Sequence, residues 1–387
     1  MAASRLTRPP AVSRKDRSRV PTNTMLRPLI LTTDLKPGGL PWRMARLAMA
    51  LQERGHRPVV GCLAGRGELH EVLERHGIAT FACGATRAGD WKALAAFRCV
   101  VRRHDPDLVH ASLFHANLAA RWLGRLDRPR PVITSTVTIE IERRWHRWGE
   151  MLTSGGSTLH AVNSQAVARH VICDLGMDPA KVVVVPNGLD LRAIERTPPV
   201  NRERFGLPDS SPLVVWAGRL DPVKQIETVI DIMGALHDAL GAYGVILGDG
   251  PRRGAVAEYI HATERVDCVR MLGWSENVIG WLKAANLMLL CSRTEGSPNV
   301  VLEALACGCP VVASNIESCK ELLGNGARGL LAPAGDVEAF TTAARNILTN
   351  PEQQAIRRPG MEYVRREHDL SRVVERWIAL YERAMGR

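Results

Sequence analysis

Two glutamates flank a Gly-Ser-Pro-Asn turn in "TEGSPNVVLEALACGCPVVAS" (Thr294–Ser314), Glu295 just before it and Glu303 about two helical turns after it. Carboxylates so placed accept hydrogen bonds from hydroxyl groups or move protons. The turn between them adds a second chemistry. Ser297 is of the type that caps a helix and Pro298 of the type that opens one, so a helix is expected from Asn299 to Gly308, with Pro310 behind it. The unpaired amides and positive dipole end of a helix start attract anions. Two carboxylates bordering an anion site suit a ligand with both phosphate and hydroxyl-rich parts, as in a sugar nucleotide.

Other residues of the same chemistry recur at the ends of apolar runs. Arg219 and Lys224 in "WAGRLDPVKQIETVI" follow one run and open the next helical segment, where they form either an exposed basic turn or a diphosphate clamp. "KPGGL" places Gly38 and Gly39 between the first apolar run and the first helix, as a tight turn or as backbone that lets a phosphate approach. "DLVHASLFHAN" puts His110 at a strand end and His115 near a helix start, positions that serve a base, a donor to substrate or a structural histidine. "ILGDGPRRG" imitates a nicotinamide fingerprint, but its third glycine, Gly254, comes one place late and "VRMLGW" lacks the acidic residue such a site needs. No His-x-x-x-His helix marks a metal site, and no Gly-x-Ser-x-Gly elbow marks a serine nucleophile.

These residues need elements to hold them. Apolar runs such as "RPLILTTDL", "RPVVGCLA" and "PDLVHA" alternate with helical segments, which implies right-handed crossovers and parallel sheets. The alternation restarts after "RTPPVNRERFGLPDSSP" (Arg196 to Pro212). The expected fold class is α/β: two doubly wound, Rossmann-like domains over 26–195 and 196–365, facing a central cleft. A closing helix in 366–387 is expected to return to the first domain. Residues 1–25 form a basic tail, expected to be disordered; Arg5, Arg8, Arg14, Lys15, Arg17 and Arg19 against Asp16 alone supply nearly half of the formal +11 charge.

That charge suits phosphorylated ligands or an anionic membrane; with 5% aromatic residues and no nucleic-acid motif, nucleic acid is not expected. The nine cysteines show no Cys-x-x-Cys pair, as for reduced thiols in a cytoplasmic protein. No apolar run is long enough to span a bilayer. In "IEIERRWHRWGEML", Ile141, Trp145, Trp148 and Leu152 share one helical face, while Arg143, Arg144, His146 and Arg147 crowd the rest. Such a helix packs inward on its apolar face, or rests on an anionic membrane.

The ordered set "ERGHRPVV", "PDLVHASLFHAN", "GRLDPVKQ", "LGDGP", "LGW", "EGSPNVVLEALACGCPVVAS" and "GLLAPAGD" resembles the retaining glycosyltransferases of family 4, in the GT-B fold, over roughly residues 27–385. The resemblance implies transfer of a sugar from a UDP- or GDP-linked donor to a glycan or lipid-linked acceptor, without a metal cofactor. It implies that Glu295 meets the donor sugar and Glu303 the ribose. Arg219 and Lys224 would hold the diphosphate, with the Pro298 turn, the amides of Asn299, Val300 and Val301, and Gly38 or Gly39; Gly273 and Trp274 would line the base. Two positions depart from the family: Ser135, Thr136 and Val137 stand where many relatives have histidine, which moves a catalytic role to His115, to His110 or to neither, and Pro41-Trp42 replaces a position often acidic. A sugar-nucleotide epimerase of the same fold and a non-catalytic nucleotide-sugar binder are the alternatives.

Overall fold

Leucine- and valine-rich runs too short to be helices pair side by side here, and the amphipathic segments between them cover both faces of the sheets they form. The computed structural model describes residues 25–123, 129–139 and 144–387. The basic tail ahead of Met25, and Ile141 and Arg143 of the tryptophan segment, lie outside the described residues.

The first half runs β1 (Pro28–Thr32), α1 (Gly39–Glu53), β2 (Val59–Cys62), α2 (Leu69–Arg75), β3 (Ala79–Ala82), α3 (Trp91–His104) and β4 (Leu108–Ser112). It continues with α4 (Phe114–Leu123), β5 (Val132–Thr136), α5 (Arg144–Thr153), β6 (Leu159–Val162), α6 (Gln165–Arg169), β7 (Val182–Val184) and α7 (Leu191–Arg196). The second half runs β8 (Leu213–Ala217), α8 (Ile226–Leu240), β9 (Tyr243–Leu247), α9 (Arg253–Ala262), β10 (Val269–Gly273), α10 (Val278–Ala284) and β11 (Leu287–Leu290). It closes with α11 (Asn299–Ala306), β12 (Val311–Ser314), α12 (Glu317–Leu323), β13 (Leu330–Ala332), α13 (Val337–Thr349), α14 (Arg357–Glu367) and α15 (Leu370–Ala384).

Two separate sheets result, in the orders β3-β2-β1-β4-β5-β6-β7 and β10-β9-β8-β11-β12-β13, with all pairs parallel. Central strands β1, β4 and β8 are buried along their whole length, which is why they read as unbroken apolar runs. The strand order reverses between β1 and β4 and again between β8 and β11. Loops leaving the carboxyl ends of strands at such a reversal splay apart and open a crevice. The glycine pair follows β1, Arg219 follows β8 and Glu295 follows β11, so topology puts these candidates at strand ends beside the two reversals.

The chain crosses between its halves twice. Near the end, Leu189 donates to the His368 carbonyl at 2.7 Å and Leu370 donates back to the Leu189 carbonyl at 2.9 Å. This bridge delivers α15 to the first domain, where Val373, Trp377, Leu380 and Tyr381 are buried in one cluster with Met44, Leu47 and Leu51 of α1.

Helix α5 packs against its own amphipathic pattern. Trp145, Trp148 and Leu152 are 54%, 63% and 82% exposed, while His146 and Glu150 are buried. The inward-packing alternative for these tryptophans therefore does not hold. The cause is a buried cation on α4: Arg121 pairs with Glu150 at 2.6 Å and bonds Ser157 and Thr153, so the polar face of α5 is drawn in to satisfy it.

Candidate functional site

Glu295 sits just past β11, where its Oε1 takes both a hydrogen bond from Ser292 Oγ at 2.7 Å and an ion pair from Lys224. Both contacts fall on one oxygen, leaving Oε2 without a hydrogen bond among the described residues. Lys224, expected to clamp a diphosphate, is thus engaged by a carboxylate. Arg219, 74% exposed, is held only by Asp221 at 3.9 Å and keeps its fork open.

Helix α11 starts at Asn299, one residue later than a Ser297 cap would place it. Pro298 takes an extended conformation with ψ 111° and offers no side-chain cap, and the Ser297 hydroxyl has no hydrogen-bond partner among the described residues. The turn is fixed from the other domain instead: Asn187 Nδ2 donates to the Ser297 carbonyl at 3.1 Å and to Asn299 Oδ1 at 2.7 Å. The Val301 amide is turned to the Pro298 carbonyl at 3.2 Å, which leaves the first two amides, of Asn299 and Val300, for an anion. Across the cleft stands the start of α1. A Cβ on Gly39 would lie 3.8 Å from Asn299 Nδ2, so two helix N-termini face each other across open backbone that Gly38 and Gly39 leave uncovered.

Glu303 projects from the second turn of α11 into a desolvated position. Burial pushes its pKa up to about 7, against the opposing pull of Arg46 on α1. Gly273 ends β10 at φ +75°, a conformation that favours glycine, and its carbonyl accepts from the Gly248 amide at 2.6 Å. Trp274, beside it, is 59% exposed.

Neither His110 nor His115, the two histidines offered for a catalytic role, lines the cavity that holds Ser297 and Asn299. His110 is fully buried on β4, its Nδ1 2.9 Å from the Tyr381 hydroxyl and its Nε2 2.9 Å from Ser135 Oγ. Burial, with Arg43 nearby, lowers its pKa to about 3 and keeps it neutral. It is a fastener between sheet and α15. His115 lies among the rings of Phe114, Trp145 and His146 and lines a different, apolar cavity of ≈410 Å³ with Leu63, Leu94 and Trp122.

Several cleft residues were not anticipated from sequence. Arg43 on α1, Asn163 after β6 and Asn187 after β7 line a cavity of ≈210 Å³ between the domains with Thr138, Ser297 and Asn299. The two asparagines share a readable signal, a polar residue ending an apolar run in "HAVNS" and "VVVPNG". Arg43 carries no such signal within its helix. Gly296 fixes how closely the domains meet: a Cβ there would stand 1.9 Å from the Val137 carbonyl, and its own carbonyl accepts from Ser164 Oγ at 2.6 Å.

Comparison with known proteins agrees with this geometry. The family model "Glycosyltransferase Family 4" matches residues 37–193, and "Glycosyl transferases group 1" matches residues 211–350. The chain is 26% identical over 358 residues to 2-deoxystreptamine N-acetyl-D-glucosaminyltransferase of Streptomyces fradiae, covering 82% of this chain and 84% of that one. It is 28% identical over 340 residues to a GDP-mannose-dependent alpha-(1-6)-phosphatidylinositol dimannoside mannosyltransferase of Mycobacterium tuberculosis, covering 82% and 86%. Its fold is similar to that of Anabaena HepE, solved in complex with UDP and glucose, with a TM-score of 0.79 at 20% identity over 92% of this chain and 99% of that one. With two parallel-sheet domains of the GT-B type and both family models in chain order, this protein belongs to glycosyltransferase family 4 and is a glycosyltransferase.

Proposed function

We propose that the chain moves a sugar from a UDP- or GDP-linked donor to a glycan or lipid-linked acceptor with retention of anomeric configuration, in cell-surface polysaccharide or glycolipid synthesis. The observation that carries this reading is the meeting of the α1 and α11 starts with Glu295, Lys224, Arg219 and Glu303 in one cleft. In it the donor diphosphate lies on the amides of Asn299 and Val300 beside Arg219, Glu303 accepts from the ribose hydroxyls, and Glu295 Oε2 accepts from a hydroxyl of the sugar. As the bond from the sugar carbon to the phosphate oxygen breaks, the charge left on the diphosphate is met by the helix dipole and the cations. The acceptor oxygen attacks from the face the diphosphate leaves and passes its proton to the departing phosphate oxygen. Neither imidazole is placed to take that proton. These cations and amides carry the charge without a metal.

The outward face of α5 supports a lipid-linked acceptor. Its Trp145 borders the ≈410 Å³ apolar cavity, as do Trp122 of α4 and Arg87, and a tryptophan-bearing helix among basic residues suits the interface of an anionic membrane. The protein then works from the cytoplasm as a peripheral membrane enzyme; among the described residues no helix is long and apolar enough to cross a membrane. One relative is named for a phosphatidylinositol dimannoside, which supports a lipid-linked acceptor, while another is named for 2-deoxystreptamine, which is not a lipid.

The test is a screen of UDP- and GDP-sugars for nucleotide release, run with lipid-linked and with soluble acceptors, followed by NMR of the product's anomeric centre. Acceptor-dependent release, retained configuration and activity that survives EDTA are expected. An isomerised sugar formed without acceptor indicates an epimerase, and affinity without any turnover a binding protein.

A further inference from the structure

The ≈210 Å³ cavity between the domains holds more unsatisfied polar chemistry than a donor site alone accounts for. Three of its lining side chains carry a buried atom without a hydrogen-bond partner: Asn163 Oδ1, Asn187 Oδ1 and Ser297 Oγ. The two asparagines are each 4% exposed. Their orientations are set by their nitrogens: Asn163 Nδ2 donates to the Val137 carbonyl at 3.1 Å, and Asn187 Nδ2 to the Ser297 carbonyl and Asn299 Oδ1. The oxygens are therefore the atoms left over. A buried acceptor left unmade costs about 1–3 kcal/mol, a cost recovered when hydroxyl groups fill the cavity.

Arg43 supplies a charge to the same space. It stands on α1 with its guanidinium carbon 5.9 Å from the Trp377 ring centre, and no carboxylate or side-chain hydrogen bond holds it among the described residues. Its neighbours give it no counter-charge, since His110 is neutral and burial pushes the Tyr381 hydroxyl up, keeping it protonated. Burial lowers the Arg43 pKa to about 10, so the group is still a cation at neutral pH. A half-buried cation without a counter-charge among the described residues favours an anion. Gly39 and Asn299 also line this cavity, so it adjoins the proposed diphosphate position; Arg219 and Lys224, the cations assigned to that diphosphate, do not line it, and most of its wall belongs to the first domain.

We propose that Arg43, Asn163, Asn187 and Ser297 form an acceptor subsite that takes an anionic polyol, a phosphate or carboxylate beside free hydroxyls. This rests on the reading of the cleft as the transfer centre. The anion docks on Arg43 and the hydroxyls donate to the asparagine oxygens, which turns the acceptor toward the donor sugar held by Glu295.

The full-length protein saturated with UDP or GDP is titrated with sn-glycerol 3-phosphate, myo-inositol 1-phosphate and their uncharged counterparts, followed by ligand-observed NMR. The phosphorylated probes should bind at least about tenfold more tightly than the neutral ones, and Arg43→Gln should remove that preference while nucleotide affinity stays within about twofold. A preference that persists in Arg43→Gln overturns the subsite, as does wild type that ignores the charged probes. Lost nucleotide affinity in Arg43→Gln assigns the anion to the donor and overturns the acceptor role. Failure of wild type to bind either nucleotide contradicts the donor cleft itself and is read separately. Where Arg43→Gln does not fold, phenylglyoxal labelling of wild type serves: inorganic phosphate should protect Arg43, and unprotected labelling overturns the proposal.

Discussion

Glu303 joins the sequence pattern to a measurable property. Burial opposes its charge and pushes its pKa up to about 7. On the proposed reading ribose hydroxyls donate to the carboxylate form, so a bound nucleotide should lower that pKa and expel a proton. Affinity must then rise with pH until the free site is ionised. At pH 6 about nine-tenths of free sites are protonated, which costs about tenfold in affinity relative to pH 8. Calorimetry in two buffers of different ionisation enthalpy should show proton release at pH 6, reduced in Glu303→Gln to what the phosphate itself contributes. Glu295→Gln should differ: nucleotide affinity kept and sugar transfer slowed by about 10²-fold, since the role proposed for its free oxygen is to meet the sugar; steady-state turnover and calorimetry on the same sample check this. These carboxylates and the two cleft cations were legible because charge beside a helix start is a local pattern. Arg43, Asn163 and Asn187 were less so, because their roles depend on which strands become neighbours, and the structural reading of His110 could not be singled out because nothing local shows that Tyr381 of the returning helix bonds it.

Helix α5 shows how a buried charge overrides hydrophobic patterning. Periodicity gave an apolar face through Trp145, Trp148 and Leu152 but could not orient it, since the deciding partner, Arg121, lies on α4. Removing one member of that pair leaves the other charged and buried, so Arg121→Met should destabilise the first domain by about 3–5 kcal/mol, read from its urea midpoint. Trp145→Ala with Trp148→Ala should leave that midpoint nearly unchanged, because both rings are exposed. The same double variant should weaken binding to anionic vesicles, and added salt should weaken it in wild type. Vesicle co-sedimentation that is absent in wild type, or equal in both proteins, would contradict the membrane role.

The strand and helix alternation carried the architecture, two doubly wound halves with ligand-bearing loops at the strand reversals, because parallel sheets buried on both faces leave a strong apolar signature. Domain docking left almost none: the approach of Gly296 to Val137 and the bridge from Leu189 to His368 and Leu370 join segments more than a hundred residues apart. The return of α15 makes the first domain depend on the chain's last residues. Trp377→Ala, which empties a fully buried ring site, should cost that domain about 3–5 kcal/mol while the second sheet's transition holds, as resolved by denaturation monitored in both halves. Across both domains, the account stands on the cleft binding a nucleoside diphosphate through residues of α11 and the loop after β8. Calorimetric titration of UDP and GDP into wild type, Arg219→Ala and Glu303→Ala tests this directly. Each variant loses a charged hydrogen bond worth about 1.5–3 kcal/mol, so at least about tenfold weaker binding is predicted for both; affinity unchanged from wild type in both would contradict the site.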